Sequence, residues 1–436
     1  SVTVYVDLGL IFFTTAALFS AAIWLEDTGR TRWLVLAAVC SGLALGTKYN
    51  ALVSFLVLSL LLPFFYLLRF RRDNPHAEQL NAVKFGVLFV AISLLVFSPW
   101  LIRNYSLTGN PIYPLAQGVF AAQAEQPPSP DQATNAEAHA RAAIREQAGK
   151  AGKPLGPLLM RRLVHEESLG YTLLIPLRIF FEGKDDDPKY FDGRLNPLLL
   201  LLPLALLVLA GKGDVGHRDQ LLFGAYAILM IVLVFLLKDM RMRWIATIIP
   251  PLVVLATDGL RAIHRQLAKR LDSAGRANAV TGVIVAAYFV PNLLYAHALF
   301  GKVDPVPYVT GRVDYASYVR THRPEYGVIE LANQLVAPGS RVLGLFLGNR
   351  RYYFAVDAVV VNEVFTSIAE RSASASVIAD RLLELGYSHI VVHAGLFRQW
   401  LTSTDEGTAS RASAFADEYL QELLVEDGFG LYEITP

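Results

Sequence analysis

Two arginines interrupt an apolar run in the stretch MRMRWIATIIPP (240–251). A guanidinium binds phosphate oxygens through two parallel hydrogen bonds, so Arg241 and Arg243 are suited to an anionic ligand. Pro250 and Pro251 follow, where they would kink a helix and open backbone groups toward a cavity. This pattern favours a binding role for both arginines over passive placement at a membrane edge.

Lys48 and Asp7 are further candidates. Lys48 follows the small-residue stretch SGLALGT (41–47), and another apolar stretch begins almost at once, which keeps its ammonium near the membrane. For Lys48 a functional role and simple snorkelling to the interface weigh equally. Asp7 heads the first apolar stretch, where its carboxylate is a candidate base or only compensates the helix dipole.

The stretch SPWLIRNYSLTGNPIYP (98–114) adds a fourth cation at the end of an apolar run. Taken alone, Arg103 is more typical of a cation that flanks a membrane helix, and the same holds for Lys238. Glycine, asparagine and proline make the rest of the stretch rigid and rich in turns. The candidate substrate-loop residues here and beside Lys48 are Tyr49, Asn104, Asn110 and Tyr113.

The composition predicts a polytopic membrane protein. Of 436 residues, 54% are hydrophobic and only 18% charged, and the mean hydropathy is +0.40. The net charge of +1 gives no field that would attract nucleic acid. Cys40 is the only cysteine, so no intramolecular disulfide can form. The opening SVTVYVDLGL is not a signal peptide, and we expect further residues upstream of it.

Eight apolar stretches approach the roughly 20 residues needed to span a bilayer. They cover 8–25, 33–47, 50–68, 85–102, 196–211, 220–237, 244–260 and 279–299. Basic residues concentrate in alternate connections, which the positive-inside rule places in the cytoplasm. These basic residues are Arg30, Arg32, Arg69, Arg71, Arg72, Lys84, Lys212, Arg218, Arg261, Arg265, Lys269, Arg270 and Arg276. The candidate acid and the four candidate cations therefore share the outer face, a pattern expected for a site that binds a lipid phosphate or pyrophosphate.

Two segments differ from the membrane core. Residues 103–195 form a long outer loop, with a helical patch near 133–149 and, at 159–182, helices expected along the membrane surface. After residue 300 strands and helices alternate, with strands at 341–347 and 389–394 and helices at 326–336 and 369–386. We therefore expect a membrane core at 1–300 and an extracytoplasmic α/β domain at 301–436.

Motifs for metals and nucleotides are weak. The acidic stretch KDDDPKYFDG (184–193) matches no calcium loop and is more typical of a solvated acidic loop, although a divalent cation is not excluded. His165, Glu166 and Glu167 lack the second histidine of a zinc helix. No P-loop or GxGxxG motif is present, so we expect no metal, no cofactor and no ATP-driven transport.

Four stretches, taken in order, resemble bacterial GT-C glycosyltransferases related to glycosyltransferase family 39. They are GLALGTKYNAL (42–52), SPWLIRNYSLTGNPIYP (98–114), FDGRLNPLLLLLPLALL (191–207) and MRWIATIIPPLVVLA (242–256). The group includes protein O-mannosyltransferases and the lipid A aminoarabinose transferase. Trp244 stands where the family usually has tyrosine, which puts the contacts to the donor headgroup in question.

This resemblance implies a polytopic GT-C-like fold in the bacterial inner membrane and an enzyme of the cell envelope. Such enzymes pass a sugar from a polyprenyl-phosphate donor to an acceptor on the outer face, which here is an unknown glycan, lipid or protein. It also implies that Lys48, Arg241, Arg243 and Arg103 bind the donor phosphate. Asp7 matches an acidic position of the family, whereas the principal base belongs to a first outer loop that we expect upstream of residue 1.

Two alternatives from other classes remain. A transporter or flippase for lipid-linked glycans would place polar residues inside several spans, whereas here the ionisable residues collect at one end. A membrane-anchored binding protein would instead use the C-terminal domain to recognise a partner. Neither the sugar nor the acceptor follows from the sequence.

Overall fold

The structure is a computed structural model that describes residues 6–70, 75–120, 157–209, 218–271 and 273–436. The predicted helical patch at 133–149 and the basic residues Arg71, Arg72 and Lys212 lie outside these ranges. The chain divides into two compact units, one of residues 1–116 and 153–299, the other of residues 117–152 and 300–436.

The first unit is a bundle of apolar helices. Its eight main helices are α1 (Asp7–Glu26), α2 (Thr31–Thr47), α3 (Ala51–Phe70), α4 (Pro75–Thr108), α5 (Leu198–Leu209), α6 (Arg218–Leu237), α7 (Ile249–Arg270) and α8 (Ala274–Val303). Each coincides with one of the predicted apolar stretches. Among the described residues, six helical segments are long and apolar enough to cross a membrane, one of them being Met242–Arg270, which ends in α7; α2 and α5 are apolar but shorter. The fold is therefore that of a polytopic helical membrane protein, as predicted.

Shorter helices connect the main ones. They comprise Gln117–Phe120, Pro157–Leu163, Leu169–Leu173, Ile175–Arg178 and Met242–Ile245, with 3-10 turns at Pro188–Tyr190 and Ala246–Ile248. The segment expected to form helices at 159–182 is thus helical in three short pieces. Its position at the membrane surface stays a prediction.

Small residues let the bundle helices approach closely. A Cβ atom on Gly42 of α2 would lie 2.5 Å from the backbone oxygen of Ser93 in α4. Ser93 itself is fully buried and donates a hydrogen bond to the Ala38 carbonyl oxygen across the same contact (2.9 Å). At the end of the bundle where α1 and α3 finish, Arg69 donates to the Glu26 carbonyl oxygen. The beginning of α1 and the end of α2 lie at the other end of these helices.

The second unit is an α/β domain, as predicted. It contains Val306–Val309, α9 (Tyr315–His322), α10 (Glu325–Leu335), β1 (Arg341–Leu345), Arg351–Tyr353, β2 (Ala358–Val359), α11 (Asn362–Arg371), α12 (Ala375–Glu384), β3 (Tyr387–His393), α13 (Ala394–Ser403), α14 (Glu406–Tyr419), β4 (Leu420–Glu426) and β5 (Phe429–Ile434). The five strands have the order β2-β1-β3-β5-β4; β1 is parallel to β2 and β3, and β5 is antiparallel to β3 and β4.

The sheet is covered on both faces because neighbouring strand residues point in opposite directions. Leu343 and Ile390 pack with α11, α12 and α14, whereas Val342 and Val391 pack with α10. The prediction of a single helix at 369–386 is wrong in one respect. It is broken after Arg371, and Ser374 caps α12 by accepting a hydrogen bond from the Val377 N–H (3.4 Å).

Candidate functional site

Asp7 and Lys48 meet at the end of the bundle where α1 begins and α2 ends. Lys48 directly follows α2 in an extended conformation (φ −162°, ψ 138°), so its side chain leaves the helix and crosses to α1. The Lys48 Nζ lies 2.5 Å from Asp7 Oδ1, and the two side chains are 20% and 14% exposed. The pair is therefore sheltered but still reachable from outside.

The indole of Trp244 is the centre of a wider group of cations. The Lys238 Nζ lies 4.2 Å from the ring centroid and the Lys48 Nζ 5.6 Å from it. Arg243 is exposed, and its Nη2 lies 4.0 Å from Asp7 Oδ2. The face of an indole attracts cations, which explains why two ammonium groups can approach the same ring. We call Asp7, Lys48, Lys238, Arg243 and Trp244 the cation cluster.

The cation cluster carries an excess of positive charge. Lys48, Lys238 and Arg243 supply three positive charges against the one negative charge of Asp7. Partial burial and the nearby Lys48 ammonium both lower the pKa of Lys238 below its usual value. Positive groups held this close together disfavour one another, so the cluster is suited to an anion.

A second group of hydrogen bonds holds the candidate substrate loop beside Lys48. The Tyr49 hydroxyl donates to the Tyr113 carbonyl oxygen (2.7 Å) and accepts from Asn104 Nδ2 (2.9 Å). Asn110 is buried; its Nδ2 donates to the Leu115 carbonyl oxygen (2.7 Å). Tyr49, Asn104, Asn110 and Tyr113 therefore stabilise one loop. Tyr49 directly follows Lys48 in the chain, which places this loop next to the cation cluster.

Two sequence-predicted cations lie elsewhere. Arg241 is 3.8 Å from a carboxylate oxygen of Asp192 and 3.8 Å from one of Asp239. Arg103 is exposed and stacks its guanidinium on Trp100 of its own helix (5.1 Å). The Arg241 carbonyl oxygen accepts a hydrogen bond from the Trp244 N–H (3.0 Å), but in the part of the chain that the structure describes neither the Arg241 nor the Arg103 side chain pairs with a charged group of the cation cluster. Their role in binding a donor phosphate stays a prediction.

A buried ion network lies near the turn that carries Arg241. Arg161 is 2.8 Å from Asp239 and 3.7 Å from Glu167, while Arg178 is 3.1 Å from Glu167 and 2.8 Å from Glu182. Arg161 also donates to the carbonyl oxygens of Lys189 and Met240. We call Arg161, Glu167, Arg178, Glu182 and Asp239 the arginine network.

The acidic stretch 184–193 packs against this network instead of forming a purely solvated loop. Phe191 is fully buried, with the Arg161 guanidinium 5.2 Å from its ring. Its carbonyl oxygen accepts a hydrogen bond from the Met242 N–H (2.7 Å). Among the residues described, no three His, Cys, Asp or Glu side chains are arranged to hold a metal ion. The stretch thus fixes the turn that presents Arg243 and Trp244.

Sequence reasoning missed Lys238, Asn50 and Arg161. The sequence pattern favours a simple membrane-flanking cation at Lys238, whereas the structure places it after α6 at the end of the bundle that carries Asp7 and Lys48. Asn50 lies two residues after Lys48, and its Oδ1 accepts from Lys238 Nζ (3.3 Å). Arg161 follows a stretch without helical periodicity, so no pattern indicated its burial.

Comparison with known sequences gives one family match. Residues 1–108 match the family described as dolichyl-phosphate-mannose-protein mannosyltransferase. The predicted resemblance to family 39 glycosyltransferases is therefore confirmed over this part of the chain, which includes Asp7 and Lys48. No curated protein matches the sequence.

Solved structures give weaker similarities. The archaeal oligosaccharyltransferase AglB from Archaeoglobus fulgidus, in complex with an inhibitory peptide and a dolichol-phosphate, aligns with a TM-score of 0.47 and 10% identity over 96% of this chain and 55% of its own. ArnT from Cupriavidus metallidurans in the apo state aligns with a TM-score of 0.38 and 12% identity over 98% of this chain and 83% of its own. This chain thus spans about half the length of the archaeal protein. Scores this low do not by themselves establish a common fold.

Proposed function

We propose that this protein transfers a sugar from a polyprenyl-phosphate donor to an acceptor on the outer face of the membrane. The observation that carries the proposal is the cation cluster, in which Lys48 after α2 and Lys238 and Arg243 from the connection between α6 and α7 lie near Trp244 and outnumber Asp7. The apolar helices around it suit a polyprenyl chain. The family match of residues 1–108 supports the same reaction class.

The chemistry explains why cations are needed. When the sugar is transferred, the bond between its anomeric carbon and the oxygen of the phosphodiester breaks, and the lipid phosphate is the leaving group. The departing phosphate then gains negative charge, which fixed positive groups stabilise without having to reorganise. Lys48 and Arg243 bind this phosphate in our proposal. Asp7 orients both, because its two carboxylate oxygens face Lys48 and Arg243 separately.

A transfer assay tests the proposal. Full-length protein in vesicles of cell-envelope membrane, which supply the candidate acceptors, is given polyprenyl-phosphate hexoses with a radiolabelled polyprenyl chain, beginning with mannose, and release of labelled polyprenyl monophosphate is followed. We expect Lys48→Met to lower the turnover rate about a hundredfold, the usual cost of losing one electrostatic donor to a developing anion. Arg261→Met is the control, because Arg261 is an exposed cation in the second half of α7 that pairs only weakly with Asp258 (3.2 Å).

Two results would contradict the proposal. One is a Lys48→Met variant that turns over like the wild type. The other is wild-type protein that moves the labelled lipid across the bilayer and releases no polyprenyl monophosphate, which is the behaviour of a flippase.

A further inference from the structure

Lys238 differs from Lys48 in its surroundings. Lys48 is paired with Asp7 at 2.5 Å, whereas no carboxylate of the described residues lies within ion-pair distance of the Lys238 ammonium. Its neighbours are instead the Trp244 ring (4.2 Å) and the Asn50 Oδ1 (3.3 Å). Lys238 is thus held in place by groups that do not neutralise it.

Asn50 is an unusual residue for such a position. It is only 8% exposed, and since its Oδ1 accepts from Lys238, its Nδ2 is the remaining donor. In the described part of the chain this Nδ2 is buried and has no hydrogen-bond partner. A buried donor without a partner lowers stability. The presence of asparagine here is therefore better explained by its hold on Lys238 than by packing.

The charges of the reaction give Lys238 a task of its own. The donor phosphodiester carries one negative charge. The leaving phosphate monoester carries close to two negative charges. The second charge needs a further cation, and the Lys238 ammonium is one that no carboxylate of the described residues neutralises.

We propose that Lys238, positioned by Asn50 and Trp244, contacts the leaving phosphate and stabilises the second negative charge that develops on it. This inference rests on the proposed function. In the step concerned, the acceptor oxygen forms a bond to the anomeric carbon and gives up its proton to a carboxylate. The bond from that carbon to the phosphate oxygen breaks, and its electron pair stays on the phosphate, beside the Lys238 ammonium. Lys238 therefore discriminates between the charge states of the lipid phosphate.

A binding comparison tests this without knowledge of the sugar. Full-length protein in detergent is titrated at neutral pH with two probes, a polyprenyl monophosphate and the methyl phosphodiester of the same polyprenol. We expect wild type to prefer the monophosphate. Lys238→Met weakens binding of the monophosphate about tenfold, as for loss of a hydrogen bond between charged groups, and changes binding of the diester by less than about twofold.

Further variants separate this role from a structural one. Asn50→Leu is expected to reduce the preference for the monophosphate without lowering the unfolding temperature, because it also removes the unpartnered donor. Lys238→Arg is expected to keep the preference, and Arg261→Met to leave both affinities unchanged. Should Lys238→Met not fold, the ratio of the two affinities in Asn50→Leu decides the question.

The outcomes distinguish the two proposals. Equal weakening of both esters in Lys238→Met, or no weakening of either, would overturn the role of Lys238 while leaving the proposed function in place. Wild-type protein that binds neither ester would overturn the proposed function and this inference with it.

Discussion

The cation cluster and the arginine network contain the same kinds of charged side chains in opposite balance. In the arginine network, Arg161 and Arg178 are outnumbered by three carboxylates and also donate to backbone carbonyl oxygens. In the cation cluster, Lys48 and Arg243 share Asp7, and no carboxylate of the described residues lies within ion-pair distance of Lys238. Burial differs as well, since the Arg161 side chain is 2% exposed and that of Arg243 is 41% exposed.

This difference separates charged side chains that stabilise the fold from charged side chains that are suited to binding an anionic ligand. A buried arginine whose donors already face acceptors has no capacity left for a substrate, and removing it leaves its partners buried and unpaired. A partly exposed group in which cations outnumber carboxylates is stabilised when an anion binds to it. The four predictions that follow test this distinction, from the largest expected effect to the smallest.

Removing Arg161 should destabilise the protein most. Arg161→Met leaves Asp239 without its main cation and removes one of the two arginines beside the buried Glu167, so we expect the free energy of unfolding to fall by about 3–5 kcal/mol. Denaturant titration in mixed micelles measures this change. The neighbouring Arg162 is exposed, so Arg162→Met is a matched control with an expected change below about 0.5 kcal/mol. Equal stability of the two variants would show that the network is not structural.

Removing Lys48 should separate activity from stability. Its salt bridge with Asp7 is partly exposed to water, so Lys48→Met is expected to change the free energy of unfolding by about 1 kcal/mol or less. The same variant should lose most of its sugar transfer. Circular dichroism during heating and the transfer assay, applied to one preparation, check both halves. A large loss of stability would place Lys48 with the structural charges.

Alkaline pH should weaken the cation cluster selectively. Burial and Lys48 lower the pKa of Lys238, so its ammonium loses its proton at a lower pH than an exposed lysine does. Affinity for polyprenyl monophosphate is present below this pKa and is lost as pH rises through it, before the ordinary lysine range is reached. Lys48 and Arg243 lie near the same ring and Asp7 contacts both of them, and a guanidinium stays charged throughout. Titration of the affinity between pH 7 and 10 should therefore show a fall in wild type that Lys238→Arg removes; a fall that persists in Lys238→Arg would show that Lys238 does not cause it.

Substitution of Arg241 tests whether this residue acts with the arginine network or with the cation cluster. Because it lies near Asp192 and Asp239, we expect Arg241→Met to reduce sugar transfer by less than about threefold and stability by about 1 kcal/mol or less. A loss of transfer as large as that of Lys48→Met would instead assign Arg241 to the donor phosphate, as the sequence predicted.

Much of the fold followed from the sequence. Apolar runs long enough to cross a bilayer are a strong local signal, and each predicted stretch contains a helix. The C-terminal hairpin was missed although its turn, Asp427–Gly428, is a typical signal for two antiparallel strands. The first strand of this hairpin, β4, is hard to recognise from the sequence because its side chains do not alternate between buried and exposed.

The candidate site followed only in part. Asp7, Lys48 and Arg243 lie at helix ends, so counting crossings already placed them at one end of the bundle. Arg241 turns away because it precedes the Met242–Ile245 helix in an extended conformation (φ −135°, ψ 151°), and a switch from extended to helical backbone sends residues two apart in different directions. The burial of Arg161 depends on Met240, 79 residues away in sequence, which no local pattern reveals.

Photocrosslinking tests the central claim most directly. A polyprenyl monophosphate with a photoreactive diazirine on the carbon next to the phosphate is bound to the full-length protein, activated by light and mapped by mass spectrometry. We predict crosslinks to the peptides that contain Lys48 and Lys238–Trp244, lost on addition of unlabelled polyprenyl monophosphate and in Lys48→Met. Crosslinks that map elsewhere on the chain, or that persist unchanged in Lys48→Met, would contradict the proposal that the cation cluster binds the lipid phosphate.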